Sequence, residues 1–360
     1  MSLLADHGNE ILFVEPITSL PTRMLVPEYR EVQAGLITRM VQVRPRIHVL
    51  TPPMLLPLAS RSKLACVVNQ SLLCRILRRW QEKLGLRNPI LWTYSPYSVY
   101  LLGKLGEKLT VYDCTDERTA NPLVGKEHIG RLETELIRKA DLVFVTAKGL
   151  LERKSPLNPN TFLAPNGVHF QHFARAWSTT LEVPADAKHL PHPIIGFIGA
   201  ISYWIDLDLI EFIAKAKPDW TIVMIGPVRP GTYVASISSL PNVYFLGKKD
   251  WKELPNYLQI FDVCINPFKV DEPITETVNP LKVYEYLAAA KPVVSVDMPE
   301  VRELEGVLRI ASTYEGFLRE MELALREEDP SAAQIRIKVA QQHDWKRILA
   351  AMSDRIRLAV

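Results

Sequence analysis

The stretch NPLKVYEYLAAAKPVVSV, Asn279 to Val296, sets a lysine and a glutamate three residues apart at the head of a helical pattern that runs into a hydrophobic strand. Asn279 suits an N-cap and Pro280 the first helical position, because proline has no backbone N–H to lose there. The unpaired amides of the first turn, the positive end of the helix dipole and Lys282 together form a place for a phosphate or diphosphate. Glu285, on a neighbouring face, can accept hydrogen bonds from paired hydroxyls such as those of a ribose. The competing reading is a surface i,i+3 ion pair, worth only ~0.2–0.5 kcal/mol. Position favours the first, since the helix follows a strand ending at Asn266 to Phe268, and ligands of open α/β sheets sit beyond the carboxyl ends of strands.

Other candidates for chemistry are weaker. Asp206 and Asp208 spell a metal-binding DxD, but they stand where a helix begins, and residues two apart on a helix point to different faces. Charge complementing the helix dipole is the better reading. His169 and His172 have no acid or cysteine at ligand spacing, so a metal is not expected.

The elements that must position the Lys282 pair alternate regularly. ILFVE from Ile11, IHVL from Ile47, ILWTY from Ile90, LTVYD from Leu109 and DLVFVT from Asp141 are apolar runs separated by helical patterns. A second series follows: IIGFIG from Ile194, WTIVMIG from Trp220, NVYFLG from Asn242, DVCINP from Asp262 and KPVVSV from Lys291. Alternation of this kind predicts α/β architecture with two doubly wound parallel sheets. The expected division is residues 1–170, a polar Pro- and His-containing linker over 171–192, and 193–344. A closing helix over 345–360, with Trp345, Ile348, Leu349, Met352, Ile356 and Leu358 near one face, is expected to pack back on the first domain.

The whole chain agrees. Its 360 residues suit two domains, and 48% apolar with 23% charged residues is a globular balance. A net charge of +3 does not argue for nucleic acid without a local cluster. Four scattered cysteines with no CxxC pair are expected to be reduced thiols. No signal-like start and no run approaching ~18 apolar residues is found, so a cytoplasmic chain is expected. Residues 61–87 carry seven basic side chains against one acid, Glu82, with Leu72, Leu73, Ile76, Leu77, Trp80 and Leu84 at helical spacing. This is either a domain helix with a solvated basic face or a contact for the inner face of an anionic membrane, and the two are compatible.

PLKVYEYLAAAKPVV resembles the donor-binding signature of GT-B glycosyltransferases, especially the family-four-like bacterial enzymes of surface polysaccharide assembly. APNGVHFQHF from Ala164 is similar to the segment that ends their N-terminal domain. The resemblance implies two Rossmann-like domains facing a central cleft, and transfer of a sugar from a UDP- or GDP-linked donor to a glycan or lipid-linked acceptor. It implies no metal and no cofactor beyond that co-substrate. Glu285 would bind the ribose, and Lys282 with the amides near Pro280 and Leu281 the diphosphate. Gly199 and Ala200 would approach the donor phosphates, and Gly226 the base. The family's acid eight residues before Glu285 falls at Thr277, with Glu276 one step away, and its glycine falls at Ala290. The usual glycine-rich loop after the first strand is replaced by EPITSLPTR, and the arginine after the second domain's first strand by Ile201, Ser202 and Tyr203.

Where many relatives have a histidine facing the donor sugar, this chain has Asp113, Asp116 and Glu117. A carboxylate there can take the acceptor hydroxyl's proton or stabilise positive charge at the anomeric carbon. Asp116 is preferred to Asp113, which ends its strand and can serve to hold the loop. Tyr94 and Ser95 are expected at the acceptor. The family resemblance implies retention, while an aspartate in the histidine's place also suits an inverting base. Two other readings stay open: a nicotinamide-dependent oxidoreductase, disfavoured by the missing GxGxxG, and an inactive nucleotide-sugar-binding scaffold.

Overall fold

The computed structural model describes residues 1–16, 38–53, 62–120 and 125–360. Contacts divide them into two units. The first comprises Met1–Val145, Leu150–Leu163 and Leu349–Val360; the second comprises Thr146–Gly149 and Ala164–Ile348.

The first unit contains β1 (Ile11–Val14), β2 (Arg39–Arg44), β3 (Ile47–Thr51), β4 (Ile90–Thr93), β5 (Leu109–Cys114), β6 (Leu142–Val145) and β7 (Thr161–Leu163). Its strands form two ladders: a mixed one in the order β1-β3-β2, and a parallel one in the order β4-β5-β6-β7. The division departs from the single sheet expected. β2 is an antiparallel edge strand whose residues are mostly exposed, so its RMVQVR sequence lacks the continuous apolar run of a buried parallel strand. The helix Lys63–Leu84 starts at Ser62, whose hydroxyl accepts the Ala65 N–H at 3.3 Å. Cys66, Leu73, Cys74 and Leu77 form its inward stripe.

The second unit contains β8 (Ile194–Ile198), β9 (Thr221–Ile225), β10 (Val243–Gly247), β11 (Val263–Asn266), β12 (Val293–Val296) and β13 (Arg309–Ala311). All pair in parallel, in the order β10-β9-β8-β11-β12-β13. Every residue of β8, β9, β11 and β12 is buried, which explains their mostly apolar sequences. The order reverses between β8 and β11, and that switch point opens a crevice at the strands' carboxyl ends. Asp206 caps the helix Leu207–Ala216 by accepting the Leu209 N–H at 3.0 Å, and it also accepts from the Tyr314 hydroxyl. The DxD spelling is thus used as a helix cap.

Residues 171–192, expected as a linker, are packed into this unit. They carry parts of the short helices Phe170–Phe173 and Arg175–Ser178, and Phe173, Ala176, Ala187 and Leu190 lie in the core. In the last helix, Trp345–Ala359, Met352 and Ile356 are buried and Arg355 lies over the Phe162 ring at 4.4 Å. Leu358 does not share their face: two residues beyond Ile356 is roughly 200° around the helix, and it is 82% exposed.

Candidate functional site

The helix after β11 spans Leu281–Ala288. Pro280, not Asn279, occupies its cap position, and no side chain caps it. Lys282 is therefore the second helical residue. Asn279 does not cap because its side chain is used elsewhere: Oδ1 accepts the Asn166 N–H at 3.2 Å, and Nδ2 donates to the Tyr284 hydroxyl at 3.2 Å and to Glu300 at 3.1 Å. An uncapped helix start leaves backbone donors for an anion.

Gly199 follows β8 and Gly226 follows β9, so both lie at the crevice. The Gly199 N–H donates to the Ile225 carbonyl at 2.7 Å, and the Gly226 N–H to the Gly247 carbonyl at 2.9 Å. The side chain of Lys282 runs across Gly199: a Cβ built there would overlap Lys282 Cε and stand 2.6 Å from Nζ. Gly226 has φ +143°, and a Cβ on it would overlap the Gly199 carbonyl oxygen. Both positions need glycine for close approach. Ala200 is the next residue along this half-buried turn.

Lys282 and Glu285 are half-buried and sense one another. Burial pushes the Glu285 carboxyl up to about 7, and Lys282 offsets only part of that. Burial lowers Lys282, with Glu285 opposing. Both charges are poorly solvated. A phosphate beside Lys282 and hydroxyl donors beside Glu285 would each favour the charged form.

Thr277 is fully buried, and its hydroxyl has no hydrogen-bond partner among the described residues. Glu276 is exposed, and its carbonyl oxygen would lie 3.1 Å from a Cβ on Gly149. Ala290 has φ +58°, the left-handed conformation that favours the glycine expected there from the resemblance.

The remaining expected residues gather in the first unit, at the ends of β4 and β5. Asp113 accepts the Trp92 indole N–H at 3.1 Å and is also hydrogen-bonded to Tyr94. Burial pushes its carboxyl up to about 6 against the lowering effects of Trp92, Arg118 and Tyr94. Asp116 accepts from the Thr115 hydroxyl at 3.1 Å. Glu117 is engaged by Lys154 at 3.1 Å, which also pairs with buried Glu133 at 2.9 Å. Tyr94 gives its carbonyl to Arg118 at 2.9 Å, and the Ser95 N–H donates to the Thr93 hydroxyl at 3.0 Å. His172 stacks on Trp251 with ring centroids 3.6 Å apart, and its Nε2 is hydrogen-bonded to the Trp251 carbonyl at 2.9 Å. EPITSLPTR lies, from its third residue on, outside the described residues.

Sequence reasoning missed Asn166 and Glu300. Asn166 was inside the quoted APNGV segment, but a partner 113 residues away leaves no local periodicity to read.

The family Glycosyl transferases group 1 matches residues 192–327. The putative teichuronic acid biosynthesis glycosyltransferase TuaH of Bacillus subtilis (strain 168) is 29% identical over 259 residues, or 65% of this chain. The match spans 63% of that relative's length. Sucrose-phosphate synthase from Thermosynechococcus elongatus superposes with a TM-score of 0.71 at 17% identity, over 99% of this chain and 90% of that one. Anabaena Alr3699/HepE in complex with UDP-glucose gives 0.64 at 16% identity, over 87% and 86%. The chain has the GT-B fold, and residues 192–327 are similar to bacterial polysaccharide glycosyltransferases of group 1.

Proposed function

We propose that this chain transfers a sugar from a nucleotide diphosphate donor to a glycan or lipid-linked acceptor in polysaccharide biosynthesis, without a metal. The observation that carries the reading is Lys282 lying over Gly199 at the uncapped start of the Leu281–Ala288 helix. Bond cleavage at the anomeric carbon leaves negative charge on the diphosphate. Lys282, the helix dipole and the amides from Leu281 onward stabilise that charge where it grows. Glu285 accepts the ribose hydroxyls, and the turn at Gly199, Ala200 and Gly226 admits the phosphates and base. Glu276, one step from Thr277, is the acid proposed to stand in for the one that relatives carry there. Asp116 is the group proposed to take the acceptor hydroxyl's proton, with Asp113 second because Trp92 and Tyr94 already hold it. Tyr94 and Ser95 are proposed to meet the acceptor. The solved Anabaena Alr3699/HepE complex contains UDP-glucose, which favours UDP over GDP as the leaving nucleotide here.

The same reading includes a cytoplasmic place at the inner membrane face. Leu64, Val68 and Leu72 recur every fourth residue on the Lys63–Leu84 helix and are exposed, Leu64 by 75%. Exposed Arg75, Arg79 and Lys83 continue the stripe, a pairing of apolar and basic groups suited to an anionic lipid surface. Arg61 lies outside the described residues. Among the described residues, no helix is long and apolar enough to cross a membrane.

The test is a thermal-unfolding screen of the purified protein against UDP, GDP, dTDP, CDP and NAD. A ligand at 100 times its Kd should add about 2.7 kcal/mol. Stabilisation by one nucleoside diphosphate names the base. Stabilisation by NAD alone would replace the proposal with the oxidoreductase reading.

A further inference from the structure

The donor helix begins without a side-chain cap, yet Asn279, the residue before its cap position, is held by four hydrogen bonds. Asn279 is 3% and Glu300 7% exposed. Asn166 Nδ2 donates to the Asn279 carbonyl at 2.7 Å, and the Asn166 N–H to Asn279 Oδ1 at 3.2 Å. Asn279 Nδ2 donates to the Tyr284 hydroxyl and to Glu300 Oε2. The other Glu300 oxygen, Oε1, accepts the Lys148 N–H at 2.7 Å. Segments distant in sequence therefore converge, through one buried carboxylate and one buried amide, on the peptide that aims the helix.

We infer that Glu300 and Asn279 are positioning residues of the donor site: they fix the direction of the first turn at Leu281 and Lys282, and so set where a nucleoside diphosphate is held. The inference rests on the donor-site reading above. Both residues are buried. They act through the helix, because a buried and fully paired polar pair permits one geometry where an apolar contact would allow sliding. The polarity of the pair is also specific. Glu300 accepts twice, so Glu300→Gln has one oxygen for two donors and sets its amide N–H groups against either Lys148 N–H or the Asn279 amide. Reversing the partner restores the bond. In the double variant Asn279→Asp, Glu300→Gln, the glutamine oxygen accepts from Lys148 while its amide donates to the carboxylate introduced at position 279. That carboxylate also accepts from the Tyr284 hydroxyl and the Asn166 N–H.

The experiment is equilibrium titration with UDP and with GDP of the wild type, Glu300→Gln and the double variant, with the unfolding temperature of each measured without ligand. Glu300→Gln is expected to weaken the nucleotide that binds the wild type by roughly tenfold, the effect of one unpaired buried donor. The double variant is expected to recover most of the affinity. If Glu300→Gln folds poorly, Asn166→Ala removes the bond to the Asn279 carbonyl from a half-buried position and should show a similar loss. Wild-type affinity in folded Glu300→Gln or Asn166→Ala overturns the inference alone, as does a double variant that unfolds like wild type but binds as weakly as Glu300→Gln. A wild type that binds neither nucleotide overturns the donor-site reading and the inference with it.

Discussion

Lys282 lies across Gly199 so closely that a Cβ on the glycine would stand 2.6 Å from the lysine Nζ. The lysine is flexible and can retreat, but Gly199 itself has φ +158°, so Gly199→Ala should fold with a lowered unfolding temperature. Retreat takes the ammonium off the phosphate position, and nucleoside diphosphate affinity should fall by about tenfold or more, measured by titration. Gly226→Ala should be costlier still, because no flexible side chain can give way. Its Cβ meets the Gly199 carbonyl, which is backbone, at φ +143°, so stability should drop by about 1–3 kcal/mol in denaturant unfolding.

Glu285 makes the site pH-sensitive. Its folded-state value of about 7 lies above the ordinary 4.5, so the folded chain holds this proton more tightly than the unfolded one. Its contribution to stability is present below about 4.5 and is lost as pH rises through about 7. Nucleotide affinity should move the opposite way, since ribose hydroxyls donate to the ionised form. Titrations from pH 5.5 to 8.5 should show affinity rising through about 7, and Glu285→Gln should flatten that rise.

The two aspartates of the first unit should separate by readout. Asp113 holds Trp92 and Tyr94, so Asp113→Ala should lower the unfolding temperature. Among the described residues Asp116 accepts from the neighbouring Thr115 hydroxyl and sits in the field of Arg118, so Asp116→Asn should nearly keep the unfolding temperature and lower turnover by about 100-fold or more. Release of nucleoside diphosphate in the presence of acceptor is the measurement.

Ala290 occupies a left-handed position at φ +58° just after the donor helix. Ala290→Gly should therefore stabilise the chain by about 1 kcal/mol in denaturant unfolding, with nucleotide binding unchanged.

The exposed Leu64, Val68 and Leu72 stripe and its basic continuation predict a lipid effect. Charge reversal at Arg75, Arg79 and Lys83 should reduce sedimentation with phosphatidylglycerol vesicles and leave nucleotide binding intact.

The two series of strands, and the meeting of Gly199, Gly226 and Lys282 at their ends, were legible because buried parallel strands write themselves as apolar runs and because glycines follow two of them. β2 and the three-residue β7 and β13 were not: the first is an exposed edge strand and the others are too short for a period. The helix start was misplaced by one residue because asparagine is both a good cap and a good bridge, and only the folded chain supplies the Asn166 and Glu300 partners that choose the second role. The packing of 171–192 was hidden because its buried Phe173, Ala176, Ala187 and Leu190 are irregularly spaced.

The most direct measurement is calorimetric titration of UDP, or of whichever nucleoside diphosphate stabilises the protein, into the wild type and Lys282→Ala. The donor-site account predicts saturable one-site binding to the wild type, with affinity reduced at least tenfold in Lys282→Ala at an unchanged unfolding temperature. Equal binding by the two proteins would contradict it.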